Sequence, residues 1–79
     1  FEYPKAARKK EIQGRGFVAF IFDKEGNISS IRLLTHVHPL LDMAFIEVVS
    51  QIPPLEMPAR VNGEPVRMSF TLPINAKLQ

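Results

Sequence analysis

A chain of 79 residues makes one domain with a thin core, because a fold of this size buries only about 60% of its unfolded surface. Its 46% hydrophobic content excludes a disordered chain, and the absence of cysteine excludes a disulfide framework and a thiolate zinc site. Net charge is +2, with Lys5, Arg8, Lys9, Lys10 and Arg15 crowded into the first fifth. Such a cluster is either a solvated helix face, partly balanced by Glu11, or a surface for nucleic acid, anionic membrane or an acidic partner. No apolar run reaches the length of about 18 residues that a membrane span needs, and the chain starts at Phe1 rather than Met. Residues 1–79 are therefore expected to be one domain cut from a longer protein.

In chain order, Pro4 suits the first position of a helix, and Lys5–Glu11 holds good helix formers. Gly14 and Gly16 are expected to stop that helix. Phe17–Asp23 is apolar on both faces, with Val18, Phe20 and Phe22 on one and Phe17, Ala19 and Ile21 on the other. A strand of that kind belongs in the middle of a sheet. Asp23-Lys24-Glu25-Gly26-Asn27 reads as a turn, and Ile28–Thr35 as the return strand, with Ile31 and Leu33 facing the core. From Pro39, the apolar series Leu41, Phe45, Val48 and Ile52, joined by Ala44, predicts an amphipathic helix of about three turns. Pro53-Pro54 ends it. A proline-rich connection with a turn at Asn62-Gly63 leads to the last strand.

That last strand, Val66–Ile74, alternates strictly. Val66, Met68, Phe70, Leu72 and Ile74 are apolar, and Arg67, Ser69, Thr71 and Pro73 lie between them. Period-2 alternation gives one buried and one wet face. Pro73 has no N–H for a ladder, which confines it to a sheet edge or a strand end, and an edge position is expected. The expected fold is α+β, in the order α-β-β-α-β. Its three-stranded antiparallel sheet runs return strand, first strand, last strand, with both helices on the Val18/Phe20/Phe22 face.

These residues together resemble a family. Tyr3-Pro4, Ala7, Gly16, Val18, Phe20, Phe22-Asp23, Gly26 and Ile28 are similar to the opening of a TonB C-terminal domain. His38-Pro39-Leu40-Leu41-Asp42 with Ala44 resembles the start of its long helix. Pro53-Pro54-Leu55 and Phe70-Thr71-Leu72-Pro73-Ile74-Asn75 resemble its proline-rich loop and terminal strand. The resemblance implies the periplasmic part of an inner-membrane energy transducer, working through its amino-terminal portion with ExbB and ExbD. It implies a grip on the TonB box of outer-membrane transporters, by strand addition, in the uptake of ferric siderophores, haem or cobalamin. The partner-binding set is then Tyr3 with Val66, Arg67, Met68, Ser69, Phe70, Thr71, Leu72 and Pro73.

Backbone alternation supplies a mechanism. If proline's missing donor faces outward, the N–H groups of Arg67, Ser69 and Thr71 present the outer edge, and Pro73 ends the pairing. Edge strands offer such groups to other chains. Phe17, Ala19 and Ile21, with no helix over them, form a second candidate surface. Edge and patch together also predict self-pairing or strand exchange into a homodimer.

Other signals carry less. Arg15-Gly16-Phe17-Val18-Ala19-Phe20 partly resembles the aromatic strand of RNA-recognition domains, so an RNA-binding module is the alternative from another class, though Ala19 stands at an aromatic position. A TonB-like interaction domain of another envelope protein is a further alternative. His36, His38 and Asp42 are read as a polar strand-to-helix junction rather than a zinc site. Met43, Met57 and Met68 are expected to fill the core. No activated nucleophile, acid–base pair or phosphate loop stands out, so neither catalysis nor a cofactor is expected, and no nucleic acid is expected as partner.

Overall fold

The computed structural model describes residues 2–78. Helix α1 (Lys5–Lys9) precedes β1 (Gly14–Phe22) and β2 (Ile28–Leu33), and α2 (Pro39–Ser50) follows. Two short strands, β3 (Arg60–Val61) and β4 (Glu64–Pro65), form a hairpin before β5 (Met68–Ala76). The main sheet has the order β2-β1-β5 and is antiparallel throughout. The α+β class, the strand order and the central place of the doubly apolar strand agree with the sequence reading.

Helix α1 ends at Lys9 with Lys10 as its cap, before the glycines. Glu11 takes φ +56, the Ile12 N–H donates to the Ala7 carbonyl at 2.9 Å, and the Glu11 N–H donates to the Arg8 carbonyl at 3.1 Å. That pair of bonds is a Schellman stop with a non-glycine residue in the left-handed position. Pro4 is the residue before the helix rather than its first residue. Gly14 and Gly16 instead open β1, and the reason for Gly16 is space. A Cβ there would lie 2.3 Å from Phe45 Cδ2 of α2. Helix and sheet can meet this closely only where one side chain is missing.

The core joins Ala7, Val18, Phe20, Phe22, Leu41, Phe45, Val49, Ile74 and Ala76. Both helices thus lie on the Val18/Phe20/Phe22 face. The buried stripe of α2 is Leu41, Ala44, Phe45 and Val49, while Val48 and Ile52 pack at its border. Full burial of Phe45, Leu41, Val18 and Val49 stabilises the fold by about 1.5–3 kcal/mol each. The methionines do not join them. Met43 and Met57 are 73% and 79% exposed and Met68 is 40% exposed. Met43 lies off the buried stripe of its helix, Met57 in the connecting loop, and Met68 at the sheet's rim.

Strand β2 carries a bulge. Ala19 pairs with Arg32 but Ile21 pairs with Ser29, so Ser30 and Ile31 together face Phe20. Ser30 takes φ +52 at this point. The extra residue reverses the alternation, which puts Ile28, Ile31 and Leu33 against one core although their spacing is not strictly even. The strand ends at Leu33, two residues short of the expected Thr35, whose Oγ1 takes the next ladder position by accepting from the Phe17 N–H at 3.1 Å.

The turn after β1 is built by Asp23, whose Oδ1 accepts from the N–H groups of Glu25 and Asn27 at 3.0 and 2.9 Å. Gly26 supplies φ +86, and its carbonyl accepts from the Leu55 N–H at 2.8 Å. This bond ties the proline-rich connection to the far end of the sheet. The connection is not structureless, as the β3–β4 hairpin turns through Asn62 (φ +51) and Gly63 (φ +82). Positive φ at both residues makes a type I′ turn, which matches strand twist and closes a two-residue loop.

The histidine segment caps α2. His38 Nδ1 accepts from the Leu40 N–H at 3.2 Å, and Asp42 Oδ1 accepts from the Val37 N–H at 3.0 Å. His36 stands 3.6 Å from Asp42 but is 81% exposed, so that pair adds little. His38→Ala is expected to cost about 1 kcal/mol through loss of the cap, and His38→Asn to retain most of it. Urea unfolding checks this, and equal midpoints for all three proteins would mean that the cap is idle.

Candidate functional site

The outer edge of β5 follows from one residue of β1. Phe17 turns both backbone groups toward β2: its N–H donates to Thr35 and its carbonyl accepts from Leu34 N at 2.8 Å. Phe17 lies opposite Pro73. Their pair is therefore a non-hydrogen-bonded one in the β1–β5 ladder. By alternation, Met68, Phe70, Leu72, Ile74 and Ala76 turn their backbone groups to β1. Ser69, Thr71 and Asn75 point N–H and C=O outward, and Pro73 points its carbonyl the same way.

Proline thus sits where its missing donor interrupts no internal bond. Ser69, Thr71, Pro73 and Asn75 are all exposed, and no strand among the described residues pairs with this edge. Two corrections to the sequence reading follow. Val66 and Arg67 precede β5, and the Val66 N–H donates to the Ala59 carbonyl at 2.8 Å, next to the β3–β4 hairpin. At the other end the strand continues to Ala76, which adds Asn75 to the outer edge. Ile74-Asn75-Ala76 extends the alternation already visible in the sequence. Pro73 consequently lies inside the strand rather than closing it.

Tyr3 is built into the fold. It is half-buried, its hydroxyl donates to the Ile12 carbonyl, and the Arg8 guanidinium lies 5.5 Å from its ring centre. With Pro4 it forms one wall of an open groove of about 540 Å³, and Ala44 and Val48 of α2 form the other. Lys5, Arg8, Lys9 and Lys10 are exposed, as a solvated helix face requires.

The second predicted surface is narrower than expected. Phe17, Ala19 and Ile21 have no helix above them, yet Ala19 is only 8% exposed and the other two are half-buried. Arg15 lies over the Phe17 ring at 5.3 Å, and Arg32 and Thr71 flank Ala19 from the two neighbouring strands. The sheet's outer face is thus paved by its own long and polar side chains. Apolar exposure lies on the other face instead, at Phe70 and Met68. Sequence reasoning missed this, because the alternation marks Phe70 and Met68 as core-facing and says nothing of how far the helices reach.

The fold is a small antiparallel sheet covered on one face by two helices, with a proline in an edge strand whose outer side pairs with no strand among the described residues. The chain matches the family described as Gram-negative bacterial TonB protein C-terminal over residues 1–78, and it belongs to that family. The fold is that of solved Helicobacter pylori TonB C-terminal domains. A longer solution structure superposes with a TM-score of 0.74 at 22% identity, over 99% of this chain and 69% of that one. A shorter one gives 0.66 at 21% identity, over 96% and 78%. No curated protein sequence matches this chain.

Proposed function

We propose that this domain is the periplasmic end of an inner-membrane energy transducer, and that it takes the TonB box of an outer-membrane transporter as an extra strand on β5. The observation that carries the reading is the exposed outward row of Ser69, Thr71 and Asn75 on a nine-residue edge that no strand among the described residues pairs with. The sheet's opposite edge is a poorer acceptor. β2 has six residues and is bent by the bulge at Ser30, and bulges blunt edges against pairing.

Each bond to a guest contributes about 0.5–1.5 kcal/mol net, so a short guest strand is held weakly and released readily. Such a grip fits a coupler that must pull and let go. Its amino-terminal portion would work with ExbB and ExbD, which supply energy from the proton gradient, and the cargo is a siderophore, haem or cobalamin. The grip needs no catalytic group and no cofactor. The same edge would let two copies pair at high concentration.

An RNA-binding reading finds less support. Phe20 and Phe22 are buried under the helices, so Phe17 is left as the aromatic of β1 on the outer face. Base stacking uses several aromatics on one exposed face.

The test is a titration of the isotope-labelled domain with amino-terminal peptides from several transporters. Amide shifts should concentrate at Ser69, Thr71 and Asn75 and near the chain start. Peptides that leave those amides unmoved would overturn the proposal.

A further inference from the structure

Strand addition makes no use of the basic cluster in the first fifth of the chain, and the fold gathers that cluster at one end of the sheet. Arg8 and Lys9 lie in the last turn of α1, and Lys10 caps it. Arg15 of β1 stands opposite Asn75 of β5, so Lys77 lies just beyond the same end. The Gln13 side chain accepts from the Leu78 N–H at 2.9 Å, which ties the α1–β1 connection to the tail of β5. All five cations are exposed. They are half of the ten lysines and arginines, and only two of the eight acids, Glu11 and Asp42, stand with them. This end therefore carries a formal charge of +3 and the rest of the chain −1.

The same end exposes aliphatic side chains. Segment 34–37 runs beside the start of β1: the Leu34 N–H donates to the Phe17 carbonyl at 2.8 Å, and Val37 packs against Gly14. Leu34 is 52% exposed and Val37 37% exposed, with an exposed His36 between them. The far end of the sheet has the opposite sign. There the turn 23–27, and the connection tied to it at Leu55, hold Asp23, Glu25 and Glu56 against Lys24.

We infer that the basic end seats on the headgroups of a membrane rich in anionic phospholipid. Charge complementarity calls for an anionic surface. Exposed aliphatic side chains among lysines and arginines suit an interface, where the cations stay with the phosphates and the apolar tips enter the acyl boundary. Nucleic acid is held on aromatic platforms instead, and Phe17, beside this end, is half-buried with Arg15 over its ring. The cations also stand on a blunt end rather than in a pocket. The groove beside Tyr3 and the smaller one at Asp23 and Arg67 are lined by other residues. A broad field of this kind matches a surface of many headgroups better than one bound anion. The seat does not depend on strand addition. It leaves that grip free, because Ser69 and Thr71 pair with Ile21 and Ala19, toward the other end of the sheet.

Co-sedimentation of the 79-residue chain with vesicles tests this. One preparation is pure phosphatidylcholine, and the other holds an equal part of phosphatidylglycerol. Binding is expected to the second alone, and it should fall steeply as salt is raised. A lysine near an anionic surface is worth about fivefold in affinity, so K9Q/K10Q should bind about 25-fold more weakly. K24Q/R60Q removes the same charge at a distance and should stay within about twofold of wild type. Leu34→Ser leaves the charge unchanged and should still weaken binding several-fold. Circular dichroism confirms that each variant is folded. Equal binding to both vesicles, or none to either, would overturn the seat. Equal losses in K9Q/K10Q and K24Q/R60Q would overturn it too, by showing attraction to net charge alone. Undiminished binding by Leu34→Ser would overturn the interfacial contact. Salt-sensitive capture of a single-stranded oligonucleotide, without vesicle binding, would assign the cluster to nucleic acid instead. Peptide-induced shifts at Ser69 and Thr71 are a separate reading, untouched by any of these results.

Discussion

Gly16→Ala is expected to lower Tm by about 10–20 °C, a large effect for the addition of one methyl group. In an open strand the change would be stabilising by about 0.4–1 kcal/mol, because alanine restricts the unfolded chain. Here the new Cβ would stand 2.3 Å from Phe45 Cδ2 and 2.5 Å from Cε2. Phe45 is fully buried among Leu41, Val18 and Val49, so its ring has no open space to turn into. Overpacking of a well-filled core costs about 1–3 kcal/mol, and the upper end applies where the obstacle is a rigid ring. That outweighs the gain in unfolded-state entropy, so the sign is destabilising. A domain of this size has about 4–12 kcal/mol in all, and each kcal/mol is worth about 4–8 °C. Phe45→Ala alone should cost about 3–5 kcal/mol. In that background Gly16→Ala should cost nothing further, because the obstacle is gone. Thermal unfolding followed by circular dichroism checks both statements. A Tm for Gly16→Ala at or above that of wild type would mean that α2 does not approach β1 at this point.

The parts of this fold that were legible in the sequence are those governed by period. Alternation in β5 and apolarity on both faces of β1 gave the strand order, since one strand had to be central and the other marginal. Pro73 gave the edge and also its direction, because a missing donor must face away from the ladder. What was not legible depends on distance between elements. Gly14 and Gly16 read as helix breakers from their type alone, and only Val37 and Phe45 packed against them give their actual reason. The stop at Glu11 uses a residue with no propensity for the left-handed region, so no local signal marks it. The bulge at Ser30 likewise has no glycine to announce it.

The candidate site shows the same division. Outward-facing donors at Ser69 and Thr71 follow from parity and were predictable. Exposure of Phe70 and Met68 follows from the reach of α2, which no pattern in β5 encodes. The Asn62-Gly63 turn was recognised, but its short arms were not, because Arg60-Val61 and Glu64-Pro65 are too brief to carry a period.

Thr71→Pro should abolish binding of a TonB-box peptide while leaving the domain folded. Thr71 points its N–H away from β1, so proline there removes no bond of the ladder. The neighbouring outward position, residue 73, already carries proline in the natural sequence. Leu72→Pro is the opposite case, one residue away. Leu72 pairs with Val18, so losing its N–H orphans the Val18 carbonyl under the helices. An orphaned buried acceptor costs about 1–3 kcal/mol, and the proline ring would press on β1 as well. The pair of variants thus separates two sides of one strand. Thr71→Pro should keep a dispersed spectrum with a Tm near that of wild type, and Leu72→Pro should be largely unfolded. For the guest, proline at 71 and 73 together leaves Ser69 and Asn75 as isolated donors, too far apart for one continuous ladder. The ring at position 71 also occupies the space that the guest backbone needs. Isothermal titration of both variants with the peptide, alongside their unfolding curves, reads both effects. Undiminished binding by a folded Thr71→Pro variant would refute the outward edge of β5 as the grip.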